Sequence, residues 1–346
     1  MKKSLLALAV LGAFAGVASA QSSVTLFGVV DVNARYVDND GAKQYQLSQD
    51  GNSSSRLGVR GTEDLGGGMT AGFWLEGAIN PDTGTPAGQT WQRRSTVSLA
   101  GRFGEVRLGR DYTATFWNWT IFDPFGTNGV GAASNLGLGG AVQSVPTGGA
   151  YGTAVRANNM IGYFLPSGIA GGLYGQFQIA AGENAYGNKY MGGRLGYAAG
   201  PFNVAGAVGR TELTPDQDAT NWNLGGSWNF GFMTASAFYG RLEIGPSDQN
   251  NWYIGASAPF GVWTFKATYG EVERSGGPVE GQKADQFAIG ATYDLSKRTA
   301  LYGTWSGINN KGGASFSVAP SLNVPANGAR PNMDSQAFEF GVRHSF

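Results

Sequence analysis

Few residues in this chain could carry covalent chemistry. Its 346 residues include one histidine, His344, and no cysteine. That removes a thiolate metal site, a disulfide framework and a cysteine nucleophile together. A hydrolase needs a nucleophile with a base beside it, or an Asp–His pair activating water. His344 alternates in step with Val342 and Phe346 on the apolar face of the last segment, away from any such partner. Gly66-Gly67-Gly68 joins two extended segments and precedes no helix, so it reads as a tight turn and not a phosphate cradle. Asn118-Trp119-Thr120 fits a glycosylation sequon and receives no function. No residue set calls for a cofactor or a metal, and the chain reads as a non-enzyme. With 24 basic against 24 acidic residues there is no electrostatic footprint for nucleic acid. The residues left to act are arginines, which stay charged at any physiological pH and favour anions when they ring a pore.

Those arginines are placed by elements that alternate with period two. Val24, Leu26, Gly28, Val30, Val32, Ala34 and Tyr36 share one face, opposite Thr25, Asp31, Asn33 and Arg35. Fifteen further segments repeat this strand pattern, each near the ~9–11 residues that cross a bilayer when tilted. Seven connections are short, such as Gly101-Arg102-Phe103 and Phe230-Gly231. Eight are long, near residues 37–54, 80–91, 112–155, 181–188, 212–221, 244–250, 274–284 and 308–335. Long connections follow odd segments and short ones follow even segments. The expectation is an all-β, 16-stranded antiparallel transmembrane barrel with short periplasmic turns and long outer loops. A water-soluble sandwich would hide its apolar face and carry more charge than the 14% found here.

The first twenty residues read as an address. Lys2-Lys3, an apolar run from Leu5 to Val17 and Ala18-Ser19-Ala20 describe a signal peptide cleaved before Gln21. Residues 21–346 are then the exported barrel, passing through the periplasm to become integral to the outer membrane among its lipid and lipopolysaccharide. Sixteen strands enclose an aqueous channel. The third long connection, 112–155, is apolar and aromatic at its start and glycine-rich afterwards, which suits a loop folded into the lumen. Strand parity turns Arg56, Arg60, Arg94, Arg107 and Arg156 inward together with Glu76 and Glu105. The third loop adds only Asp123. The full inward tally is nine basic against six acidic residues. Parity sends Arg93 outward, in step with Val97 and Leu99.

Several strings resemble the general porins of β-proteobacteria and Neisseria: Ser22-Ser-Val-Thr-Leu-Phe-Gly28, Ser55-Arg-Leu-Gly-Val-Arg-Gly-Thr-Glu-Asp-Leu-Gly66, Arg93-Arg-Ser-Thr-Val-Ser-Leu99, Phe103-Gly-Glu-Val-Arg-Leu-Gly-Arg110, Arg156-Ala-Asn-Asn159 and Arg343-His-Ser-Phe346. The resemblance implies a homotrimer whose third loop forms an eyelet. Its anion-selective members place three arginines there, matching Arg56, Arg93 and Arg156. Since parity favours Arg94 over Arg93, both stay candidates beside Arg56 and Arg156. The function expected is passive diffusion of small hydrophilic solutes and ions with an anion preference. A substrate-specific channel or a non-conducting adhesin barrel are the alternatives.

Overall fold

In the computed structural model, residues 23–88, 90–143, 152–319 and 331–346 are described. The expected signal peptide and its cleavage site lie outside them. Eighteen strands follow one another: β1 Ser23–Asn39, β2 Ala42–Gln49, β3 Arg56–Gly66, β4 Met69–Asn80, β5 Thr85–Pro86, β6 Arg94–Gly101, β7 Gly104–Tyr112, β8 Arg156–Phe164 and β9 Leu173–Ala180. Then come β10 Tyr190–Ala199, β11 Phe202–Thr214, β12 Gln217–Asn229, β13 Thr234–Ile244, β14 Ser247–Phe260, β15 Trp263–Ser275, β16 Lys283–Asp294, β17 Thr299–Lys311 and β18 Ser335–Ser345. Two helices, α1 Ala114–Phe122 and α2 Ser134–Gln143, interrupt the series between β7 and β8.

Every wall pairing is antiparallel, and β1 pairs with β18 from Val29↔Ser345 to Asn39↔Ser335, which closes the sheet. The long β1 is shared along its other edge: its first half pairs with β3 and its second half with β2. β2 and β3 thus fill one position in the wall, and the two-residue β5 only touches the end of β4. The closed barrel has sixteen strands.

The two faces are inverted relative to a water-soluble protein. Val24 is 70% exposed, Leu26 62% and Ile254 54%, while Asn33, Gln178 and Glu339 inside are at most 1% exposed. Closing the barrel pairs the wall's backbone groups internally, so such an outer face can meet lipid. Aromatic pairs ring the outer face at two heights. Trp222–Tyr239 (5.4 Å) and Trp252–Tyr269 (5.7 Å) form one row, and Trp263–Tyr293 (4.7 Å) belongs to the other, as interfacial girdles require.

Three of the long connections contain more strand than the alternation suggests. Residues 212–221 and 244–250 hold two-residue turns, because β11 to β14 continue past the apolar band. The charged residues that resemble loop there are ladder residues joined by ion pairs, such as Arg210–Asp218, and Arg241–Glu243 at 2.7 Å. In 37–54, β1 turns through Asp40 and Gly41, both at positive φ, into β2, the backbone that a tight hairpin needs.

The third loop folds into the lumen. Helix α1, Ala-Thr-Phe-Trp-Asn-Trp-Thr-Ile-Phe, is apolar around most of its circumference, and such a helix is buried. It lies against the inner faces of β9 to β13, and α2 continues along β14 to β16. Trp119 packs on Phe238 (4.3 Å between ring centres) and on Tyr253 (5.7 Å). The wall makes room with glycine: a Cβ at Gly225 would collide with the Phe122 ring, and one at Gly255 would lie 2.6 Å from Pro124. Polar wall residues stitch the loop down. Asn118 donates to the Ala205 carbonyl (3.1 Å) and to Asn223 Oδ1 (2.9 Å). Gln249 donates to the Gly137 carbonyl (2.6 Å) and Gln286 to that of Val130 (3.1 Å). Two strands farther round the wall, Glu339 on β18 accepts from the Val130 N–H at 3.2 Å and pairs with Arg35 at 2.6 Å.

Candidate functional site: an arginine cluster facing the third loop

With the loop against β9 to β16, the opposite wall, β3 to β8, keeps its side chains free to line the passage. Four arginines gather where β3, β4, β6, β7 and β8 meet near their outer ends. Their organiser is Glu76 on β4. It accepts Arg93 Nε at 2.6 Å, stands 3.6 Å from Arg56 Nη1, and takes the Trp74 indole N–H at 3.0 Å. Arg56 opens β3 and also donates to the Ser54 carbonyl (2.8 Å) and Ser53 Oγ (2.7 Å). Arg156 opens β8; its Nε donates to the Arg93 carbonyl at 2.8 Å and its guanidinium lies 4.3 Å from the Tyr112 ring centre. Arg156 makes no ion pair among the described residues. Tyr112 also accepts Arg93 Nη2 at 3.3 Å, so one phenol braces two guanidinium groups.

The expectation that Arg93 points outward is corrected. Arg93 precedes the first residue of β6, so strand alternation does not govern it. Its backbone N–H donates to the Glu76 carbonyl at 3.0 Å, and its side chain enters the cluster. Arg94, in register with Glu76, also faces inward. It donates Nε to Thr96 Oγ1 (3.1 Å), stands 3.5 Å from Asp111 and lies 4.5 Å over the Trp74 ring. Both members of the pair line the lumen. Arg60 lies lower, over Trp74 at 5.0 Å. Arg107 is held by Glu105 (2.9 Å) and Asp111 (2.5 Å).

Asp123 is buried within the third loop, where its carboxylate accepts the N–H groups of Phe125 (2.9 Å), Thr127 (3.1 Å) and Ala133 (3.0 Å). Burial pushes its pKa up to about 6, against those donors and nearby Lys266. Asp50, behind the Ser53–Ser54 turn and near Arg93 and Arg56, is also pushed upward by burial. Five guanidinium groups (Arg56, Arg93, Arg94, Arg107, Arg156) therefore face four carboxylates (Glu76, Glu105, Asp111, Asp50), one positive charge in excess.

A model of the family described as "Gram-negative porin" matches residues 7–313. The chain belongs to the Gram-negative porin family. This porin is 40% identical to outer membrane porin protein 32 of Delftia acidovorans over the full length of both chains. It is 31% identical to an outer membrane porin protein of Bordetella pertussis, covering 90% of this chain and 95% of that one. Its fold superposes on the anion-selective porin from Comamonas acidovorans with a TM-score of 0.83 at 36% identity, covering 94% of this chain and all of the other. The porin is an integral outer-membrane barrel that forms a channel.

Three contributors escape a reading of the sequence alone. Asp111 shares the odd-numbered parity of Glu105 and Arg107, and extending that strand by two residues finds it. Tyr112 reads as the first loop residue, although it ends β7. The last long connection also turns inward: Phe316 and Val318 are buried, Asn135 Nδ2 donates to the Val318 carbonyl at 3.0 Å, and Asn310 Nδ2 to that of Phe316 at 2.9 Å. The alternation of Ala314, Phe316 and Val318 is the available signal.

Proposed function

We propose that this porin lets small hydrophilic solutes and ions diffuse passively across the outer membrane, with an anion preference set by Arg56, Arg93, Arg94 and Arg156. The carrying observation is the uneven pairing within the cluster. Glu76 is shared by two arginines, Asp111 by two more, and Arg156 has no ion pair among the described residues. A pore lined on one wall by excess guanidinium charge lowers the energy of an anion and raises that of a cation. A 36% identical relative is named an anion-selective porin, which supports the same reading.

In this proposal residues 1–20 are the cleaved signal peptide, 21–346 the barrel, and 112–155 the constriction loop. Arg60, Arg107, Glu76, Glu105 and Asp123 shape the surrounding field. The working form is a homotrimer set in outer-membrane lipid and lipopolysaccharide. Its partners in transit are small anions and neutral solutes, and the barrel performs no catalysis. Proteoliposome swelling tests it: neutral sugars and small carboxylates enter, and a carboxylate enters faster than an ammonium solute of equal size. Absent swelling with any solute would instead favour the non-conducting barrel.

A further inference from the structure

Below the arginine cluster, towards the short turns, the lumen wall opens into a recess of about 480 Å³ between β1, β3, β4, β6 and β7. Arg60 lies four residues along β3 from Arg56, about 13 Å at the usual rise of a strand. We infer that this recess is a second anion station, one that holds a tetrahedral oxyanion of the phosphate or sulfate class in transit. The inference rests on the reading that the lumen conducts anions.

The recess has the parts such a ligand needs. Trp74 stands between two guanidinium groups, Arg60 at 5.0 Å and Arg94 at 4.5 Å from its ring, and Phe27 braces it edge-on at 5.0 Å. Cation–π stacking fixes a guanidinium by its face and leaves its N–H edges free to bind in the plane, the geometry that suits oxygen pairs of an oxyanion. Arg60 is exposed to the lumen and makes no ion pair among the described residues. Arg94 is only partly compensated, since its carboxylate neighbour Asp111 is 3.5 Å away and is bound more closely by Arg107 at 2.5 Å. Thr62 and Thr96 supply hydroxyls on the same wall. Glu105, the one carboxylate in the lining, is engaged by both Arg107 Nε (3.0 Å) and Nη2 (2.9 Å). Three guanidinium groups thus face two carboxylates, Glu105 and Asp111. Chloride needs no fork; an oxyanion can pair two of its oxygens with the unpaired N–H edge of Arg60, with Arg94 adding positive charge from beyond the Trp74 ring.

The test is a titration of inorganic phosphate into symmetric KCl at pH 7.5 with the channel in a planar bilayer, read as chloride current. A binding station gives a saturating fall in current. Arg60→Gln removes a charge-assisted bond and raises the half-blocking phosphate concentration about tenfold. Arg60→Lys keeps the charge without the fork and raises it less. Phosphate without effect on the wild-type current overturns the station, as does an unchanged titration in Arg60→Gln. The zero-current potential of the same membranes in a KCl gradient separates the two ideas. Anion selectivity without phosphate block removes only the recess; phosphate block with cation selectivity supports the recess and removes the anion-selective eyelet.

Discussion

Arg156→Gln paired with Glu76→Gln tests whether selectivity is a sum of charges. Arg156 forms no ion pair among the described residues and rests on Tyr112 and the Arg93 carbonyl, so glutamine removes one positive charge and little else. For an ion about 6 Å away in water, one unit charge is worth about 0.7 kcal/mol, and screening at 0.1 M salt leaves about 0.4 kcal/mol. The change acts with opposite sign on anion and cation, about 0.8 kcal/mol in all, or roughly a fourfold fall in the anion-to-cation permeability ratio. Glu76→Gln removes a negative charge at the same depth while its amide oxygen can still accept from Arg93, and raises the ratio by a similar factor. The double variant returns close to wild type. Zero-current potentials in a KCl gradient give all three ratios. The reasoning is refuted if both single variants shift the ratio in the same direction, or if Arg156→Gln leaves it unchanged.

Glu339→Ala strands Arg35, which is buried at 6% exposure, and releases the Val130 end of the third loop. Breaking a buried pair from one side costs about 3–5 kcal/mol, so thermal unfolding in detergent shifts down; an unchanged midpoint contradicts the anchor. Gly225→Leu drives the Phe122 ring from its seat and pushes α1 into the passage, so single-channel conductance falls, and an unaltered conductance argues against the seat. Asp123, with a folded pKa of about 6 against an unfolded value of about 3.9, gains a proton as pH falls from 7.5 to 5. Losing that negative charge raises the anion preference at pH 5. Because the folded value is raised, its stabilising contribution is complete below about pH 4 and is lost as pH rises through about 6, by up to about 3 kcal/mol. Asp123→Asn removes both pH effects, and their persistence in that variant would assign them elsewhere.

Alternation made the wall legible. Leu57 and Val59 against Arg56 and Arg60, or Val97 and Leu99 against Arg94 and Thr96, state both the strand and its lipid side. The rule stops where a strand stops. Arg93 sits one residue before β6 and its direction comes from the Glu76 carbonyl and carboxylate, partners seventeen positions away in the chain. The charged rim of β11 to β14 reads as loop because its outward residues are ion-paired instead of apolar, although the backbone ladder continues. The aromatic start of the third loop announced that it would bury itself, but not where. That depends on Gly225 of β12 and Gly255 of β14 facing the same stretch of lumen from either side of β13, which no local pattern states. The same holds for Glu339, whose partners Arg35 and Val130 meet it only after β18 closes on β1.

The most direct test of the arginine-lined passage is the zero-current potential of the wild-type channel across a planar bilayer with a tenfold KCl gradient. An excess of guanidinium charge lining the passage, as proposed, gives the sign set by chloride crossing faster than potassium. A potential of the opposite sign, with potassium the faster ion, would contradict it.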